Sequence, residues 1–154
     1  MLGKIVRHAV KNNLIGLENL NGVPGTLGGA LIMNAGAWGG EISENLIHVE
    51  LINSKNEIKK IPKKDLNFSY RKSSFQKDDI LLSAKFDLKK ADEDIIHENF
   101  IKAQSGRKNS QPLNQRSAGS LFKNPENNSA GKLLDEAGLK LSLIHISEPT
   151  RHLF

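Results

Sequence analysis

Three short stretches of this chain carry residue types that can do chemistry. The first, Gly22-Val23-Pro24-Gly25-Thr26-Leu27-Gly28-Gly29-Ala30, puts four glycines and a proline into nine residues. Glycine admits positive φ and lets a ligand approach the amides with no Cβ in the way, while proline stiffens the entrance to the turn. Such a run can form a concave anion or cofactor site, strengthened where a helix N-terminus follows. It is neither a Walker loop nor a Gly-x-Gly-x-x-Gly dinucleotide loop. Spacing alone leaves a turn that packs two elements closely as the plainer reading. The second stretch, Phe68-Ser69-Tyr70-Arg71-Lys72-Ser73-Ser74-Phe75, sets the one tyrosine of the chain beside an arginine. A guanidinium is a rigid fork of donors matched to a carboxylate or phosphate, although an arginine in a connecting loop is more often a solvated charge. The third is Ser117-Ala118-Gly119-Ser120-Leu121-Phe122-Lys123-Asn124-Pro125. Ser120 does not sit in a Gly-x-Ser-x-Gly elbow, and no histidine–acid pair stands where it would activate the hydroxyl. By itself this is a serine in a turn.

The elements that must position these stretches follow from periodicity. Ile5, Val6, Ala9, Val10 and Leu14 share one helical face. Seven of the thirteen glycines fall between Gly22 and Gly40. Within that stretch, Ala30 to Met33 reads as the start of a helix that Asn34-Ala35-Gly36 ends. Leu46 to Ile52 alternates as a strand, with Ile47, Val49 and Leu51 on one face. Asn53 to Asn56 is turn chemistry, and Glu57 to Ile61 a return strand. Ile80 to Leu88 alternates again, with Ile80, Leu82, Ala84, Phe86 and Leu88 facing inward. Asp92 or Asp94 caps a helix through Ile95, Ile96, Phe100 and Ala103 to about Arg107. A last helix runs from Ser129 as N-cap to Ala137, with Gly138 as its left-handed stop. Hairpin strands and separated helices argue α+β.

Composition narrows the function. Hydrophobic residues at 38% and charged residues at 25% describe an ordinary globular chain. No apolar run approaches the roughly 18 to 20 residues of a membrane span, and Met1 to Arg7 has no secretory pattern. With no cysteine, disulfides, thiolate metal sites and thiol nucleophiles drop out, which fits a reducing cytoplasm. The histidines His8, His48 and His97 lie far apart, without metal-ligand spacing. A net charge of +5 favours anionic partners. Nucleic acid is the poorer candidate, because Lys59-Lys60, Lys63-Lys64 and Lys89-Lys90 are interleaved with acids and no stacking platform is present. Phosphorylated small molecules explain the charge equally well.

The order and identity of the residues say more than spacing. Gly16 to Leu20, the glycine-rich run, and Met33-Asn34-Ala35-Gly36-Ala37-Trp38-Gly39 together resemble one segment of the UDP-N-acetylenolpyruvoylglucosamine reductase (MurB) family. The Tyr-Arg and Ser-Ala-Gly-Ser elements resemble two further motifs of that family, at its distances. The resemblance implies the C-terminal lobe of a vanillyl-alcohol-oxidase (PCMH)-type FAD-binding domain over 1–90. Part of the substrate-binding domain would follow over 91–140. It implies FAD as cofactor, lined by Val23, Pro24, Gly25, Gly28, Gly29, Ile32 and Gly36, and NADPH as co-substrate. It further implies Arg71 facing an enolpyruvyl carboxylate, Ser120 as proton donor, Tyr70 as a neighbouring substrate contact, and Lys123 and Asn124 as contacts to substrate or nicotinamide. The implied activity is UDP-N-acetylmuramate dehydrogenase, acting on a UDP-sugar enolpyruvate in peptidoglycan precursor synthesis. The implied form is a cytoplasmic monomer, bound neither to nucleic acid nor to membrane.

The match has edges. A first flavin lobe with its own phosphate loop is expected before residue 1, and a C-terminal part with a catalytic glutamate after residue 140. Gln115-Arg116 stands where a proline is common in the family. Residues 141–154 depart from the family and read as a non-native tail, so Ser142, His145 and Glu148 are not assembled into a site. Without the missing parts the segment is expected to be inactive alone. Two other readings remain: a different flavin oxidoreductase of the same superfold, and a non-catalytic basic binding module.

Overall fold

The computed structural model describes residues 1–110 and 122–139. The chain divides into two compact units, Met1–Gln115 and Arg116–Phe154.

The first unit is built on α1 (Leu2–Lys11), whose inward face is Leu2, Val6 and Ala9. The expected helical face does not reach Leu14. Asn12 ends the helix, Asn13 takes φ +55, and Leu14 belongs to β1 (Leu14–Ile15), paired with β9 (Lys89–Lys90). An 18-residue helix, α3 (Glu93–Ser110), starts after Asp92, whose carbonyl accepts from the Ile96 amide. It buries Ile96 and Ala103 and leaves Ile95 half exposed.

A three-stranded antiparallel sheet forms the other half, in the order β5 (Ile58–Pro62), β4 (Leu46–Ile52), β8 (Ile80–Phe86). Asn53 closes the β4–β5 turn: its Oδ1 accepts from the amides of Lys55 and Glu57, and its Nδ2 donates to the Glu57 carboxylate. That bond, with Lys59 beside it, holds the Glu57 carboxyl below its ordinary range.

Three expected inward residues, Ile47, Ile80 and Leu82, are turned out by irregularities between β4 and β8. The pairing passes from Leu46–Phe86 to His48–Lys85, and from Glu50–Ser83 to Leu51–Leu81. Ile47 and Leu82 are therefore the extra residues of two bulges, and an extra residue shifts the alternation of its strand by one. Leu46 is buried in place of Ile47, and Leu81 packs on the core in place of Leu82 and Ile80. Val49, Leu51, Ala84, Phe86 and Leu88 keep their inward places.

The central cluster joins Leu2 and Val6 of α1 to Leu17, Leu20, Ala30, Leu31, Ile42, Leu46 and Val49. Each leucine, isoleucine or valine of this cluster contributes about 1.5–3 kcal/mol on burial. Phe68 and Phe75 meet edge to face at 6.0 Å and close one side. In the second unit, α4 (Ala130–Glu136) has Ser129 as N-cap, its hydroxyl accepting from Lys132 N. The helix ends in a Schellman turn: Gly138, at φ +68, donates to Asp135 O, and Leu139 donates to Leu134 O.

Leu20→Ala should cost about 2–5 kcal/mol of unfolding free energy, because Leu20 has no exposed surface. Ile58→Ala, at a site 72% exposed, should stay within about 0.5 kcal/mol. Urea denaturation of the two variants checks the contrast.

Candidate functional site

The glycine-rich stretch folds around α2 (Leu27–Ile32), which begins three residues earlier than its sequence suggests. Thr26 is the reason. Its backbone is extended and its hydroxyl accepts from Gly29 N at 3.1 Å, a capping bond that pulls Gly28 and Gly29 into the first helical turn. Before the cap, Gly25 takes φ +119 and its carbonyl accepts from the Leu2 amide, fastening the loop to the start of α1.

The end of α2 is a second Schellman turn, with asparagine in place of glycine. Asn34 sits at φ +42, its amide donates to Leu31 O, and the Ala35 amide donates to Ala30 O. Asparagine is among the few non-glycine residues that visit this region routinely. The chain then forms a narrow ribbon, β2 (Gly36–Ala37) against β3 (Gly40–Glu41), with Gly36 opposite Glu41.

The Tyr-Arg motif is the tip of a hairpin between β6 (Phe68–Ser69) and β7 (Lys72–Ser73). Arg71 occupies the tip at φ +53, a conformation a long side chain adopts only when its surroundings hold it there. Three bonds supply that hold. Ser73 Oγ donates to Ile32 O at 2.6 Å, Asn34 Nδ2 donates to Ser69 O at 3.2 Å, and Arg71 Nη2 donates to Gly36 O at 2.9 Å. The alternate residues 32, 34 and 36 thus pin the hairpin to the end of α2. The guanidinium carbon also lies 5.1 Å from the centre of the half-exposed Tyr70 ring.

Between loop and hairpin lies a groove of about 530 Å³ lined by Val23, Pro24, Gly25, Gly29, Gly36 and Arg71, together with Thr26, Ala30, Met33 and Ala35. Gly28 and Ile32 do not line it. A side chain at Gly28 would point to Leu81 on β8 at an ordinary contact distance of 3.8 Å, so this position faces the sheet. Ile32 is exposed and meets the hairpin through its carbonyl. A second cavity, of about 440 Å³ and walled by Glu18, Trp38, Glu44 and Lys102, holds none of the residues expected to contact cofactor or substrate.

Ser120 falls outside the described residues. In the second unit Lys123 is exposed, and Asn124 Oδ1 accepts from Ala130 N, capping the first turn of α4. No site role for Thr26, Asn34 or Glu41 follows from the sequence alone. The helix-to-turn switch at Met33-Asn34 was the available signal for Asn34. The buried partner of Glu41 had no local signature.

Residues 1–61 match the model of an FAD binding domain, and residues 111–145 that of the UDP-N-acetylenolpyruvoylglucosamine reductase C-terminal domain. The reductase of that name from Aquifex aeolicus is 43% identical over 139 residues, covering 90% of this chain and 46% of that protein. That of Clostridium novyi is 42% identical over 141 residues, covering 91% of this chain and 46% of its own length. The crystal structure of UDP-N-acetylenolpyruvylglucosamine reductase (MurB) from Thermus caldophilus superposes with a TM-score of 0.83 at 37% identity. It covers 90% of this chain and 51% of that one. The chain spans about half the length of the curated relatives it matches.

Gly36 is the most closely surrounded of the glycines that line the groove. An added Cβ would stand 3.1 Å from both Glu41 Cγ and Gly40 O and 3.4 Å from Arg71 Nη1. Gly36→Ala should cost about 1–3 kcal/mol through overpacking and loosen the arginine from the Gly36 carbonyl. Thermal unfolding reads the first effect. Faster solvent exchange of the Arg71 side-chain protons in NMR reads the second.

Proposed function

We propose that this chain, which belongs to the UDP-N-acetylenolpyruvoylglucosamine reductase family and spans a segment of it, forms one wall of a flavin site and carries the cation that faces the substrate carboxylate. The observation that carries the reading is the groove itself, which sets the small residues of the 23–36 loop opposite a single fixed guanidinium. A flat ring system fits such a lining. At Gly25 nothing stands within 4 Å of where a side chain would begin, and at Gly29 only the Thr26 hydroxyl does, at 3.4 Å. Val23, Pro24, Gly25, Gly29 and Gly36 would hold the flavin of FAD. Gly28 and Ile32 act one step behind, setting α2 against the sheet and against the hairpin.

Flavin, when bound, supplies hydride transfer between NADPH and the vinyl carbon of UDP-N-acetylglucosamine enolpyruvate. What remains for the chain is charge and proton handling. Hydride addition to that carbon leaves negative charge on the neighbouring carbon, delocalised into the carboxylate as an enediolate. Arg71 neutralises the charge where it develops, and its preset position spares the reorganisation a mobile lysine would need. Tyr70 stacks beside the guanidinium and adds a substrate contact. Ser120 delivers the proton that completes the product, since an enediolate is basic enough to take one from a hydroxyl. Lys123 and Asn124 contact the substrate or the nicotinamide. The product is UDP-N-acetylmuramate, made in the cytoplasm for the cell wall by a monomeric enzyme.

The test uses a complete reductase carrying this segment. Arg71→Ala should lower kcat by about 10²–10³-fold, and Ser120→Ala by about 10²–10⁴-fold, with flavin absorbance retained in both. Stopped-flow reduction by NADPH should proceed normally, while reoxidation by the enolpyruvyl substrate stalls. Full activity in either variant removes that residue from the assigned role.

A further inference from the structure

Asn34 is the buried polar residue on which both halves of the groove converge. It has no exposed surface, and its Nδ2 donates twice, to Glu41 Oε2 at 2.5 Å and to Ser69 O at 3.2 Å. Its Oδ1 is buried without a hydrogen-bond partner among the described residues. Burying an unsatisfied acceptor is unfavourable, so the two donated bonds hold this side chain in place against a local penalty. The orientation of the amide follows from its neighbours: a carboxylate oxygen and a carbonyl both require a donor.

The two accepting groups matter for different reasons. Ser69 is two residues from Arg71 in the hairpin, so its carbonyl sets the height of the tip over the groove. Glu41 lies across the β2–β3 ribbon from Gly36. A side chain on Gly36 would find Glu41 Cγ at 3.1 Å and Arg71 Nη1 at 3.4 Å, so carboxylate and guanidinium crowd the same side of residue 36. A carboxylate released from the Asn34 amide has that guanidinium within reach. An Arg71 pulled toward Glu41 would meet a substrate carboxylate with its charge already partly neutralised.

We propose that Asn34 is a positioning residue for Arg71: its amide engages the Glu41 carboxylate and the Ser69 carbonyl together, and so keeps the arginine charge directed into the groove. The proposal rests on the reading of Arg71 given above. Because Asn34 takes positive φ, Asn34→Gly removes the amide without straining the turn. Asn34→Asp keeps the shape but loses the donor.

In a complete reductase carrying this segment, both variants should slow reoxidation of the reduced flavin by the enolpyruvyl substrate by roughly 10- to 100-fold. Reduction by NADPH and the flavin dissociation constant should move by less than about threefold, a split that general destabilisation would not produce. Adding Glu41→Gln to Asn34→Gly should recover most of the lost rate, since a neutral amide does not compete for the arginine. The inference is overturned by an unchanged reoxidation rate, by an equal loss of flavin affinity, or by a double variant that recovers nothing. Arg71→Ala separates the two claims. If Arg71→Ala stalls reoxidation while the Asn34 variants do not, only the role of Asn34 fails. If Arg71→Ala has no effect, the reading of the arginine fails and this inference with it.

Discussion

The arrangement depends on holding a long cationic side chain at the tip of a two-residue turn in a backbone conformation it would not choose. Arg71 at φ +53 stays there because three carbonyl groups, those of Ile32, Gly36 and Ser69, are each bonded across the gap between α2 and the hairpin. None of the three bonds is strong by itself; each is worth about 0.5–1.5 kcal/mol net, somewhat more where the donor is charged. Their alternate placement on residues 32, 34 and 36 makes them act together, since the hairpin cannot shift by one residue without losing all three. The geometry of the groove follows from that constraint. The loop gives a floor of backbone and small side chains, and the hairpin gives one fixed charge above it.

The remaining structure serves this contact at longer range. Thr26 starts α2 early and directs Gly28 toward Leu81, which seats the helix on the sheet. The Gly25 carbonyl bonded to Leu2 ties the loop to α1, whose buried face belongs to the same core as Leu31 and Val49. A substitution in that core therefore reaches the site through the position of α2, with no contact to a ligand.

Much of this was legible in the sequence where a local rule decides the outcome. Ser129 and Gly138 announce α4 because capping chemistry is local, and Leu46–Ile52 declares its length because alternation is. Motif order carried the family. Periodicity failed at Ile47, Ile80 and Leu82, because a bulge is a property of two strands paired together and leaves no mark on either alone. It failed at Leu14 because Asn13 turns the chain before the helical pattern is spent. Asn34 was read as a helix stop, and that was right about its backbone. Its buried amide depends on Glu41 and Ser69, 7 and 35 residues away, which no spacing rule could supply.

Hydrogen–deuterium exchange of a complete reductase carrying this segment, with and without FAD, tests the central claim most directly. Flavin seated in the groove should slow exchange of the amides at 22–36 and of the hairpin at 68–73, and leave the β4–β5 turn at 53–57 unchanged. Protection confined to other parts of the chain, with the glycine loop exchanging at the same rate in both states, would contradict the account.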